Sequence, residues 1–156
     1  MQNYTTAFYN FFGGDWDGYR DASCSGFLSK FDQGFKYPET GADDFQANCF
    51  TRIPALVGLF SGHPRLEAIV AAASVVTQAT PEAVAWGCLA ARILQNVLFG
   101  LHPSKAVVVA AGTALDATQL EPSGVGVELR RQAAILYPKC AGLVLEVARR
   151  TKVWEC

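Results

Sequence analysis

The tripeptide Thr80-Pro81-Glu82 and the apolar run it opens constrain this chain more than any other feature. A threonine hydroxyl caps the first free N–H groups of a helix, and a proline in the first turn sacrifices no hydrogen bond there. An acid at the next position faces the positive end of the helix dipole. The run continues to about Phe99 and stops at Gly100, and its polar residues after Glu82 are only Arg92, Gln95 and Asn96. Those three share one narrow stripe, so almost the whole circumference must be covered by other elements. A helix of that kind belongs at the centre of a bundle, and the spacing predicts an all-α chain built around it.

The flanking segments agree. Ile53, Leu56, Val57 and Phe60 recur at i, i+3, i+4 and i+7, and Gly62 follows where a helix end favours positive φ. Pro64 opens a second periodic segment carrying Leu66, Ile69, Val70, Ala73 and Val76, and His102-Pro103-Ser104 opens a third with Ala106, Val107, Val109, Ala110, Ala114 and Leu115. The β-branched runs Val75-Val76-Thr77 and Val107-Val108-Val109 favour strands locally, but their alanine-rich flanks and the helix start and stop signals outweigh that preference. Residues 122–126 form a break, and two short helices are expected at 127–136 and 140–150, separated at Pro138. Apart from a short helix at 5–12 ended by Gly13-Gly14, the first fifty residues lack a sustained period. The expected organisation is a single domain with a loop-rich part at 1–50, a helical core at 51–120 and a divergent tail at 121–156.

Composition narrows the class. The chain has 156 residues, 51% of them hydrophobic and 17% charged, enough apolar material for one core. Its formal charge is -1, and the only adjacent basic pairs are Arg130-Arg131 and Arg149-Arg150, so no stripe matches a phosphate backbone and no nucleic-acid partner is expected. Residues 1–10 are polar and aromatic, without the order of a secretory signal, and no apolar run approaches the ~20 residues of a membrane span. An intracellular, cytoplasmic protein that stays out of the membrane is the expectation. Cys24, Cys49, Cys88, Cys140 and Cys156 are odd in number and never at CxxC spacing, which points to free thiols rather than disulfides or a zinc site.

Three stretches carry a family resemblance. Tyr9-Asn-Phe-Phe12 with Gly18-Tyr-Arg-Asp21 is the first; Glu39-Thr-Gly-Ala-Asp-Asp44, Gln46-Ala-Asn48, Arg52 and Pro54 form the second. The third is Val76-Thr-Gln78 followed by Pro81-Glu-Ala-Val84. Over about residues 8–118 the chain resembles the ADP-ribosylglycohydrolases, in particular the branch of the J-type lens crystallins and their selenoprotein J-like relatives. The resemblance implies an orthogonal helical bundle of that family, incomplete at both ends. It also implies that Asp43, Asp44, Gln46, Asn48, Arg52 and Gln78 lie on the ADP-ribose side of a cleft, with Gln78 where the family's hydrolases have His. The Asn48 to Arg52 and Arg52 to Pro54 spacings are each one residue tighter than the family pattern.

The family hydrolyses a glycosidic bond of ADP-ribose with two magnesium ions, held by a Thr-Asp-Asp stretch near one end and an Asp-x-Asp-Thr stretch near the other. Hard cations need converging carboxylate oxygens. Here Asp43-Asp44 follows Ala42 instead of Thr, Gly13-Gly-Asp-Trp-Asp-Gly18 has the order of the second stretch on the wrong side of the core helices and without its Thr, and Asp116-Ala-Thr118 offers one carboxylate. No residue is assigned as a metal ligand, and Asp15 and Asp17 read as a turn. Asp43 and Asp44 are loop and capping acids or, failing that, the catalytic candidates. Arg52 is expected to pair with one of these two carboxylates or with a phosphate, and His63 and His102, each beside a proline, serve as surface or capping residues.

Three functions follow as expectations. The first is a catalytically incompetent, J-crystallin-like helical protein with a structural or binding role. The alternatives are a magnesium-dependent hydrolase of ADP-ribosylated substrates using an altered carboxylate set, or a non-enzymatic binder of ADP-ribose. Self-association through exposed apolar surface is expected if helices outside this sequence normally cover the central one.

Overall fold

The computed structural model describes residues 2–150, and Cys156, one of the thiols discussed above, lies outside them. Among the described residues the chain is all-α: α1 (Gln2–Phe12), α2 (Ala22–Asp32), α3 (Ile53–Phe60), α4 (Leu66–Thr77), α5 (Pro81–Leu98), α6 (Pro103–Gly112) and α7 (Val127–Arg150), with short 3-10 turns at Ala47–Arg52 and Glu121–Ser123. The only ladder contact described is an isolated parallel bridge between Ala42 and Gln78.

The start and stop signals act as their chemistry dictates. Thr80 Oγ1 accepts from the Ala83 N–H at 3.3 Å, with Pro81 and Glu82 in the first turn of α5. Gly62 and Gly100 carry φ of +79° and +92° just past α3 and α5, a region closed to most side chains. His102 caps α6 by accepting the Ser104 N–H on Nδ1. Both β-branched runs are helical, in α4 and α6.

Helix α5 is the centre, packed by α3, α4, α6 and α7. Its first half is buried through Ala83, Val84, Ala85, Gly87, Cys88, Leu89 and Ala91, whereas Leu98 and the following Phe99 emerge into solvent. Helix α4 is enclosed from Val70 to Thr77. The two helices cross at small residues: a Cβ added to Gly87 would stand 2.9 Å from Ser74 Oγ and 3.3 Å from a Val70 methyl. An alanine at Gly87 would oblige the Ser74 and Val70 side chains to shift.

Two expectations about the chain's helices are corrected. The first fifty residues hold a second helix that the sequence pattern did not indicate: α1 starts three residues earlier than expected, and Asp21 caps α2 by accepting the Cys24 N–H at 2.7 Å. A cluster of Phe8, Phe12, Trp16, Phe27 and Phe31 rings holds α1 and α2 together. The segment around Pro138 is one continuous helix rather than two. Proline in a helix interior removes a hydrogen bond and costs about 3 kcal/mol, but Ala133, Tyr137, Cys140 and Ala141 recur on one buried face across it while Pro138 itself is exposed. Burial of that face against α5 and α6 outweighs the local penalty. Residues 121–150 contribute to the core through Val125, Ala133, Tyr137, Cys140 and Ala141.

Candidate functional site

The polar loop singled out by sequence lies against the C-terminal end of α4 and the start of α5. Its backbone is pinned first. The Ala42 N–H donates to Thr77 O at 2.8 Å, and the Ala79 N–H donates to Ala42 O at 2.9 Å. Thr40 Oγ1 donates to Val76 O at 3.0 Å, and Lys30 Nζ reaches Gly41 O from α2. Gly41 is required by this contact, since a Cβ there would stand 2.4 Å from Val75 O and 2.6 Å from Ala79 N.

Onto that frame the candidate side chains fold as a closed latch. Gln78 is fully buried, and its Nε2 donates to Gln46 O at 2.6 Å, Asp44 O at 3.1 Å and Asp44 Oδ2 at 3.3 Å. Asp44 Oδ1 accepts the Gln46 N–H at 3.1 Å and Oδ2 accepts from Asn48 Nδ2 at 3.2 Å. Thr80 Oγ1 adds a donation to Asp44 O at 3.3 Å while it caps α5. An irregular loop crossing a helix end leaves main-chain carbonyls without ladder partners, and these side chains supply them. Gln78 Oε1 is buried without a partner among the described residues.

The other candidates separate from this group. Asp43 is exposed and makes no described hydrogen bond, so the Asp43-Asp44 pair points in two directions. Gln46 is exposed, with Oε1 3.5 Å from Asn48 Nδ2. Arg52 does not pair with either carboxylate, as the sequence had suggested. Its Nη1 donates to Ala73 O at 2.9 Å and Thr77 Oγ1 at 2.7 Å, and its guanidinium lies 5.8 Å from the centre of the Phe8 ring. A cation serves well at the last turn of α4, where carbonyls face outward and the dipole is negative. Behind the loop, burial pushes the Cys49 thiol up to about 11, with Arg52 opposing the shift.

Asp15 and Asp17 are exposed beside Trp16, and Asp116 closes a turn by accepting the Thr118 N–H and Oγ1–H, both at 2.8 Å. His63 Nδ1 accepts the Arg65 N–H at 3.1 Å, a turn-closing role like that of His102. Among the described residues no three His, Cys, Asp or Glu side chains are grouped to hold a metal ion. Asp44 is buried, and its two oxygens accept three N–H groups of the loop. No helix among the described residues is long and apolar enough to cross a membrane.

A second polar junction escaped the sequence reading. Arg92, on the otherwise apolar α5, donates through Nε to Glu67 Oε1 on α4. Its Nη1 reaches Thr113 O at 2.7 Å and Tyr137 Oη at 3.1 Å, and its Nη2 reaches Ala114 O at 3.1 Å. The guanidinium also lies 5.0 Å from the centre of the Tyr137 ring, whose hydroxyl donates to Ala110 O at 2.9 Å. One side chain thereby joins α4, α5, the end of α6 and α7. The available signal was the lone charge in the middle of an apolar central helix, since such a charge is buried only with partners.

No family model, curated protein or solved structure matches this chain significantly.

Proposed function

We propose that this chain is a non-catalytic helical protein of the ADP-ribosylglycohydrolase or J-crystallin type, with a structural or binding role. The observation that carries the reading is the state of Asp44: both carboxylate oxygens are engaged by Gln46, Asn48 and Gln78, and the carboxylate is buried. A general base or metal-holding carboxylate must present a free oxygen to water, substrate or cation. Asp44 instead presents its oxygens to the loop's own N–H groups. Gln78 supports the same reading, because an amide neither titrates nor donates a proton at neutral pH, and here it is spent on two backbone carbonyls.

The test is a calorimetric titration of magnesium and ADP-ribose, separately and together, beside a hydrolysis assay on an ADP-ribosylated peptide. The expected outcome is no turnover and no coupled binding of metal and nucleotide. Tight joint binding overturns the proposal, as does turnover that disappears in Asp44→Ala. Binding of ADP-ribose that is indifferent to chelator gives the protein a reader's role within the same non-catalytic class.

A further inference from the structure

Helix α6 buries only one of its faces. Asn96 Nδ2 on α5 donates to Ala106 O at 3.4 Å, Tyr137 Oη on α7 donates to Ala110 O at 2.9 Å, and the Ala106 and Ala110 side chains lie in the core. The outer face carries Ser104, Lys105, Val108, Val109 and Gly112, with Val108 56% and Val109 49% exposed. Leu101, Ser104, Lys105, Val108 and Val109 line an open groove of about 450 Å³ along it. We infer that this face is an interface with a second copy of the chain, α6 packing antiparallel on α6 about a two-fold axis between Val108 and Val109.

A two-fold contact sets the same patch on both sides, so the patch must complement itself. This one does, because its two ends are of opposite sign. Lys105, the only Asp, Glu, Lys or Arg between Leu101 and Leu115, stands at the start of α6. At the other end Ala111 O and Gly112 O accept from no donor among the described residues, and the last turn of a helix carries the negative end of its dipole. Turning a second α6 end for end about Val108 and Val109 sets the valines of the two copies against each other. It also sets each Lys105 level with Gly112 of the other copy, its ammonium at the free carbonyls. Gly112 leaves room for the lysine stem, since even a Cβ there would meet nothing within 4 Å.

Occupants of other chemistry fit the face less well. An anionic membrane or a nucleic acid asks for several cations where α6 has one, and an acidic peptide would answer Lys105 but repel the carbonyl end. Valines lose side-chain freedom in a helix, and burial against a partner offsets that loss. One ten-residue helix face buries less than about 1,200 Å² in total, the range of weak and transient complexes. The formal charge of -1 sets little long-range repulsion against it. The face adjoins the end of α5, whereas the Asp44 latch lies at its start, so the contact stands whether or not the proposed function does.

The experiment is sedimentation equilibrium of the whole chain under reducing conditions, from about 10 μM to about 1 mM, with amide NMR spectra over the same range. A monomer–dimer equilibrium within that range, with concentration-dependent shifts centred on Lys105, Val108, Val109 and Gly112, is the expected result. Val108→Glu sets two carboxylates across the axis and should weaken association about tenfold or more; Lys105→Glu sets an acid at the partner's carbonyl end and should weaken it about fivefold. Both side chains are exposed, so the melting temperature of the dilute variants should stay unchanged. Adding Gly112→Lys to Lys105→Glu should restore part of the association, because the antiparallel register sets position 105 of one copy against position 112 of the other. A chain that stays monomeric across the range overturns the inference, and one that instead moves onto phosphatidylglycerol vesicles gives the face to a lipid surface. Association that ignores Val108→Glu, or that Gly112→Lys leaves unrestored, overturns it as well.

Discussion

The Asp44–Gln78 latch and the Arg92–Glu67 junction are both networks of polar side chains that close helix ends, but they are built from opposite materials. The latch relies on an amide, a carboxylate, a hydroxyl and main-chain groups, and its strongest member, Gln78, carries no charge. The junction relies on an ion pair, with side chains only 12% and 18% exposed, and one arginine spans four helices. The latch can lose its neutral member Gln78 at the cost of orphaned carbonyls, because Asp44 keeps its Gln46 and Asn48 donors. The junction cannot lose Arg92, because Glu67 would remain an unpaired ion in a poorly hydrated place. The polar residues of the latch hydrogen-bond within one loop and the helix end beneath it, whereas Arg92 ties together four helices.

The largest test of that contrast is Arg92→Ala. It strands Glu67, Thr113 O and Ala114 O together and should lower stability by about 3 kcal/mol or more in urea unfolding. Adding Glu67→Gln should recover part of the loss by removing the stranded charge. A loss under about 1 kcal/mol would break the comparison.

Gln78→Ala should follow with a loss of about 2 kcal/mol, since it frees Asp44 O and Gln46 O and leaves a small void beneath the loop. The loss should be accompanied by faster amide exchange at Gln46 and Ala79 while the α5–α7 amides keep their protection. Uniform acceleration across both regions would mean that the latch is coupled to the core and not local.

A smaller effect comes from alkaline pH, because each network backs onto a buried thiol. Burial raises Cys49 to about 11 and Cys88 further still, against an ordinary value near 9. A group with a raised native value keeps its proton in the folded state after the unfolded chain has lost its own. Stability is thus at its full value below about 9 and falls as pH rises, the Cys49 contribution levelling off near 11. The Cys49 share is of the order of 2 kcal/mol. In a Cys156→Ser background, Cys49→Ala should flatten the fall between those values, and Cys88→Ala should flatten it over a wider range. An unchanged pH slope in both variants would remove the thiols from the account.

How much of this was legible varies with the distance over which the cause acts. Thr80-Pro81-Glu82, Gly62, Gly100 and His102 announced their helix ends because capping and positive φ are satisfied within a few residues. Asp21 carries the same kind of signal, closed three residues on at the Cys24 N–H. The continuity of α7 through Pro138 was not legible. A local rule says that proline breaks a helix, and only the buried Ala133–Tyr137–Cys140–Ala141 face overrides it. For the candidate site, the resemblance gathered Asp43, Asp44, Gln46, Asn48, Arg52 and Gln78 into one neighbourhood; four of the six share hydrogen bonds there, and Asp43 is exposed beside them. Arg52 was drawn away by the end of α4, a partner 21 and 25 residues distant.

By itself, then, the sequence determined that the chain is helical, that α5 is its centre and where most helices begin and stop, since those follow from periodicity and from hydrogen bonds closed locally. Only the tertiary structure decided what the polar side chains do. A carboxylate, an amide and a guanidinium look the same in a sequence whether they face a substrate or a backbone carbonyl, and the choice is made by whichever unsatisfied group the packing of distant helices leaves within about 3 Å.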